Sequence, residues 1–140
     1  MPRTPKAMVL DSWAVFAYLE GEASAERVAD LIADAHEQEI PLFMSVVNAG
    51  EVWYIIARAT SVADADRSVS ELKQLAIEFV DADWTLARDA GGFKSKHKMS
   101  FADCFAAALA KQKKSVLITG DPEFKQVESE VSISWLSNSE

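Results

Sequence analysis

Cysteine is nearly absent. Cys104 stands alone among 140 residues, so no internal disulfide can form, and a reducing compartment, the cytoplasm, is expected. Long apolar runs are absent as well. None approaches the roughly 18 residues that span a bilayer, and the opening MPRTPK leads into no secretory leader. A membrane protein and a disulfide-stapled scaffold are thereby excluded. Positive charge is scarce: 14 Lys and Arg face 22 Asp and Glu, for a net charge of −8. That balance argues against a broadly basic nucleic-acid surface, while leaving room for a local basic patch or an acidic pocket that holds cations. Two histidines and one cysteine are too few to make a zinc site. With only five glycines and four prolines, no linker divides the chain, and no internal repeat is visible. One domain over residues 1–140 is expected, with residues 1–6 flexible.

What is present is a core's worth of apolar residues, 49% of the chain, at a length that hides roughly 68% of its unfolded surface. Short apolar runs alternate with helical periodicity. Ala7–Leu10, Pro41–Met44, Ile77–Val80, Val116–Ile118 and, more weakly, Val131–Ile133 read as strands. Between them lie helical patterns: one running to Gly21, one from Ser24, one from the cap Ser45 to about Thr60, and one over 62–76. Two more follow, from about Asp83 toward a break or bend at Gly91-Gly92, and from Ser100 to Lys111. Strands separated by helices imply right-handed crossovers. The expected fold is a three-layer α/β/α sandwich with a mostly parallel sheet of four to five strands.

In such sheets ligands bind beyond the carboxyl ends of the strands, near the point where strand order reverses. Asp11 directly follows the first strand, and Asp121 follows Val116–Ile118 within Thr119-Gly120-Asp121-Pro122. Each is equally a helix N-cap. Glu51 has Asn48, Val47, Tyr54 and Ile55 as helical neighbours, three of the four with large apolar bodies, and Asp103 has Met99, Ala106 and Ala107, so the first falls on a mainly apolar face and the second on an apolar one. Burying a carboxylate is costly without a partner. The plain alternatives are a capping box from Ser100 to Asp103 and an exposed helix edge for Glu51. Brought together, carboxylates ~5 Å apart repel by about 3 kcal/mol per pair at an effective dielectric near 20. Such a cluster calls for a divalent cation, and all-oxygen ligands favour Mg²⁺ or Mn²⁺, which can activate water against a phosphodiester. Ser12 and Thr119 flank the outer acids as supporting hydroxyls.

Four motifs, Val9-Leu10-Asp11-Ser12, Ala49-Gly50-Glu51-Val52, Ser100-Phe101-Ala102-Asp103-Cys104 and Leu117-Ile118-Thr119-Gly120-Asp121-Pro122-Glu123-Phe124, occur in this order. In order and spacing the chain resembles PIN-domain ribonucleases of the VapC toxin type, from about Ala7 to Leu136. The resemblance implies Mg²⁺- or Mn²⁺-dependent endonucleolytic cleavage of RNA, a homodimer, and inhibition by a cognate antitoxin protein. It maps Asp11, Glu51 and Asp103 onto the three core acids, Asp121 onto a more variable fourth acid and Thr119 onto its hydroxyl neighbour. Asn48 takes a supporting place.

Residues 94–114 hold six lysines and one acid, Asp103. Lys94, Lys96 and Lys98 therefore make a candidate RNA-phosphate patch, or simply a solvated loop. Residues 20–39 carry seven acids and one arginine, a face that repels RNA and is solvent-exposed or antitoxin-facing. Trp13, Phe16, Trp53, Tyr54 and Trp84 read first as core and second as a groove for a partner helix. Cys104 reads as a buried hydrophobe. Two other functions compete: a non-catalytic RNA- or protein-binding module on the same fold, and a phospho-acceptor signalling domain using Asp81. The latter wants a second acid beside Asp11, where Ser12 stands.

Overall fold

The computed structural model describes residues 5–136, and the flexibility expected of residues 1–6 falls mainly outside that range. In chain order the elements are β1 (Met8–Leu10), α1 (Ser12–Leu19), α2 (Ala25–Glu37), β2 (Leu42–Ser45), α3 (Val46–Ala59) and α4 (Val62–Gln74). Then come β3 (Ile77–Val80), α5 (Trp84–Lys96), α6 (Phe101–Gln112), β4 (Val116–Thr119), a 3₁₀ helix (Pro122–Val127) and β5 (Ile133–Trp135). All strand pairs are parallel and the order is β3-β2-β1-β4-β5. This is the expected three-layer α/β/α sandwich, with five strands.

The layers follow from the two-residue period of the strands. Met8, Leu10 and Ile118 join one cluster with Val15 of α1, Val28 and Ile32 of α2, Val52 of α3 and Leu72 of α4. Val9 and Leu117 point the other way, into a cluster with Leu86 and Phe93 of α5, Cys104 and Leu109 of α6, and Phe124. Helix starts are fixed by side chains that accept the first free N–H groups: Ser45 from Val47, Ser61 from Asp64, Asp83 from Leu86 and Ser100 from Asp103.

Two expectations are corrected. α5 does not break at Gly91-Gly92 but continues to Lys96; Ala90 and Phe93 are buried against α6 on either side of the pair, and that packing outweighs the helix penalty of glycine. The last strand starts at Ile133 rather than Val131. The Val131 N–H is still bonded to the Val127 carbonyl, closing the preceding turn, while its side chain is core.

From β1 the chain moves outward to β2 and β3, then returns to β4 and β5 on the other flank. The reversal therefore lies between β1 and β4, whose carboxyl ends carry Asp11 and Thr119. Asp81 follows β3, at the far edge of the sheet and two strands from β1. A phospho-acceptor pair with Asp11 is excluded by that separation.

Candidate active site

Asp11 is fully buried at the N-cap of α1. Its Oδ1 accepts the Ala14 N–H at 2.8 Å, and its Oδ2 accepts the hydroxyl of Thr119. The Thr119 oxygen in turn accepts the backbone N–H of Asp121 at 3.0 Å, and Asp121 Oδ1 caps the 3₁₀ helix through the Glu123 N–H at 2.9 Å. Capping and site membership thus coincide in both aspartates. Burial pushes the Asp11 carboxyl up to about 7, with smaller upward contributions from the charges of Asp103 and Asp121; the bonds from Thr119 and Ala14 oppose the rise.

Asp103 lies in the first turn of α6, its N–H donating to Ser100 Oγ at 3.1 Å. Its carboxyl is raised to about 6, first by burial, then by the charges of Asp121 and Glu51 and, more weakly, Glu123, against the opposing bond to Ser100. Glu51 Oε1 accepts the Ser12 hydroxyl at 2.6 Å. Asn48, wholly buried, donates to the Ala102 carbonyl and to Ser12 Oγ. The charges of Asp103 and Asp121 thus reach Asp11, those of Asp121 and Glu51 reach Asp103, and hydrogen bonds through Ser12, Asn48 and Thr119 link the segments that carry them. Glu123, to which the sequence assigns no role, also reaches Asp103; its one local signal is its place two residues after Asp121, in the short helix that Asp121 caps.

No lysine or arginine is among the groups that shift Asp11 or Asp103. The donor set is all oxygen, which fits a hard divalent cation in kind. Among the described residues, however, no three His, Cys, Asp or Glu side chains form a ready-made metal cage.

The three lysines are exposed but dispersed. Lys94 and Lys96 belong to the last turn of α5, not to a loop. Lys94 Nζ donates to the Met99 carbonyl at 2.6 Å, Lys96 lines a cavity of about 260 Å³ with Arg88, Lys111 and Glu130, and the Lys98 backbone is clamped by Gln126. The seven acids between Glu20 and Glu39 are all solvent-exposed. Trp13 and Phe16 pack on the core, Trp53 bonds to Asp66, and Tyr54 and Trp84 are exposed, so the aromatics do not act as one set. Burial pushes the Cys104 thiol up, away from nucleophilic chemistry.

Comparison with known proteins bears on the fold and the family. A search of the curated proteins finds no match. Among solved structures, the VapBC2 complex of Rickettsia felis bound to promoter DNA has a TM-score of 0.74 at 14% identity, covering 94% of this chain and 99% of that one. VapBC-1 of nontypeable Haemophilus influenzae gives 0.70 at 16%, with 93% and 98% covered. VapC20 of Mycobacterium tuberculosis, described as a sarcin-ricin-loop-cleaving toxin, gives 0.66 at 17%, with 86% and 95% covered. These likenesses establish a shared fold. The sequence profile of the PIN domain matches residues 8–130, nearly the whole described chain, and the protein therefore belongs to the PIN-domain family.

Proposed function

We propose that this protein is a Mg²⁺- or Mn²⁺-dependent endoribonuclease that acts as the toxin of a toxin–antitoxin pair. What supports the reading is that the charges of Asp103 and Asp121 reach the buried Asp11, and those of Asp121 and Glu51 reach Asp103, beside the strand ends where the sheet order reverses. A divalent ion held there would lower the pKa of a water and neutralise charge on the leaving oxygen of a phosphodiester. Asp11, Glu51 and Asp103 would hold the ion or orient its water, and Asp121 would complete or stabilise that shell. Ser12 and Thr119 fix the rotamers of Glu51 and Asp11 through their hydroxyls. Lys94, Lys96 and Lys98 contact RNA phosphates on the flank of the site. The fold neighbours described as toxin–antitoxin complexes favour a protein antitoxin as partner, and the one described as cleaving the sarcin-ricin loop favours structured RNA as substrate. A homodimer in the cytoplasm belongs to the same reading.

A non-catalytic RNA- or protein-binding module is the second reading. It is favoured by the lack, among the described residues, of three acids close enough to cage an ion. Asp103→Asn separates the two, because it removes a charge but little volume. Incubated with a mixed tRNA and rRNA pool, the wild type should yield discrete fragments and the variant none, while both retain RNA binding. Equal fragment yields from the two proteins would overturn the assignment of Asp103, and no cleavage by the folded wild type would favour the binding module.

A further inference from the structure

Asn48 occupies the first turn of α3 and is wholly buried. Its Nδ2 donates to the carbonyl of Ala102 at 3.1 Å and to Ser12 Oγ at 3.4 Å. Ala102 immediately precedes Asp103, Ser12 immediately follows Asp11, and Glu51 lies three residues beyond Asn48 on the same helix. One amide thus touches the chain neighbours of two site acids and stands a turn away from the third.

The orientation of that amide is not ambiguous. A backbone carbonyl can only accept, so the nitrogen must face Ala102. Ser12, receiving a hydrogen from Asn48, has one of its own to give. The Glu51 carboxylate at 2.6 Å takes it in preference to the Asn48 backbone carbonyl at 3.3 Å. The chain of bonds therefore runs in one direction, from Asn48 through Ser12 to Glu51. Asn48 Oδ1 is left buried with no partner. A buried acceptor without a donor is destabilising, and native interiors leave few of them. An apolar side chain of the same shape would fill the space without that penalty.

We propose that Asn48 is the positioning residue of a divalent-cation site: its amide nitrogen ties the starts of α1 and α6 to α3 through Ser12 and Ala102, and so sets the spacing of Asp11, Glu51 and Asp103. The inference rests on the metal-dependent reading above. It is tested by calorimetric titration of Mn²⁺ alone into wild type, Asn48→Leu and Ser12→Ala, well below their melting temperatures. Asn48→Leu keeps the shape and removes the polarity; Ser12→Ala cuts the same chain of bonds with a smaller change. Loss of such supporting contacts weakens metal binding by roughly 10–100-fold, and that range is the expected rise in the Mn²⁺ dissociation constant for Asn48→Leu. Ser12→Ala should give a smaller rise, and Asn48→Ser, which restores a donor and an acceptor, a partial recovery. A purely structural role would lower the melting temperature and leave the Mn²⁺ affinity of the folded protein unchanged, and that result would overturn the proposal. So would a folded wild type that binds no Mn²⁺. If the variants lose Mn²⁺ but the wild type cuts no RNA, the positioning role stands and the nuclease reading fails. If the wild type cuts RNA with Mn²⁺ and the variants bind the ion as it does, the reverse holds.

Discussion

Asp11 divides its two carboxylate oxygens between two tasks, one capping α1 and the other bound to Thr119 across the β1–β4 boundary. Full burial is the source of its raised pKa, and it makes the metal-free protein sensitive to pH. A carboxyl near 7 when folded and near 3.8 when unfolded binds more protons in the folded state, so its contribution is complete below about pH 3.8 and is lost as pH rises through 7. Asp103, near 6 when folded, adds to the loss over a lower window. Thermal melts without metal should therefore show a falling melting temperature from about pH 5 to 8, and Mn²⁺ should flatten the fall by occupying the site as protons leave. Melting temperatures that rise over this range would contradict the buried, like-charged placement. Gly120 gives a second residue-scale prediction. A Cβ there would lie 2.3 Å from Cη2 of Trp13 and 2.6 Å from the Leu136 carbonyl. Gly120→Ala should cost about 1–3 kcal/mol by overpacking, read by urea unfolding. The Asp11–Thr119 bond was legible only as two polar residues at strand ends, because a partner 108 positions away leaves no periodic trace.

At the scale of elements, caps and apolar periods were readable and junctions were not. Ser45 and Ser100 cap the helices their positions predict, since an N-cap acts within three residues and so is written locally. The Val131 turn and the passage of α5 through two glycines depend on packing against neighbours, which the local sequence does not encode. At Gly91 and Gly92 a Cβ meets nothing within 4 Å. Each single change to alanine should therefore stabilise the protein by about 0.5–1 kcal/mol through helix propensity, the opposite sign to Gly120→Ala. Destabilisation by either would show that α5 needs the missing side chains. The lysine run shows a similar limit: its spacing leaves a phosphate patch and a solvated loop equally open, and the end of α5 sends Lys94 toward the Met99 carbonyl and Lys96 into a cavity. Reversing Lys94, Lys96 and Lys98 to glutamate should lower RNA affinity and reduce the log–log salt slope by up to about 0.7 per lost phosphate contact. An unchanged slope would remove these residues from the RNA path.

For the whole molecule, the parallel sheet does what no local motif can: it carries Asp11 and Thr119 to adjacent strand ends and lets α3 and α6 deliver Glu51 and Asp103 beside them. Element order made that edge predictable from sequence, and the four-motif order made the family recognisable. The separations among the acids were not readable, because they depend on hydrogen bonds through Asn48 and Ser12 that join residues 36 to 54 positions apart. A surface with a net charge of −8 and an exposed acidic stripe from Glu20 to Glu39 repels RNA except where a cation or a lysine intervenes. On the proposed function, the acid quartet cuts RNA through a divalent ion. This is tested most directly by following cleavage of a tRNA and rRNA pool by the wild type as Mn²⁺ is raised from zero, with EDTA added at the end and Asp11→Asn in parallel. Discrete fragments should form at a rate that saturates with Mn²⁺, falls to zero on chelation and is lost in the variant. Cleavage that proceeds equally in EDTA, or survives Asp11→Asn, would contradict that reading.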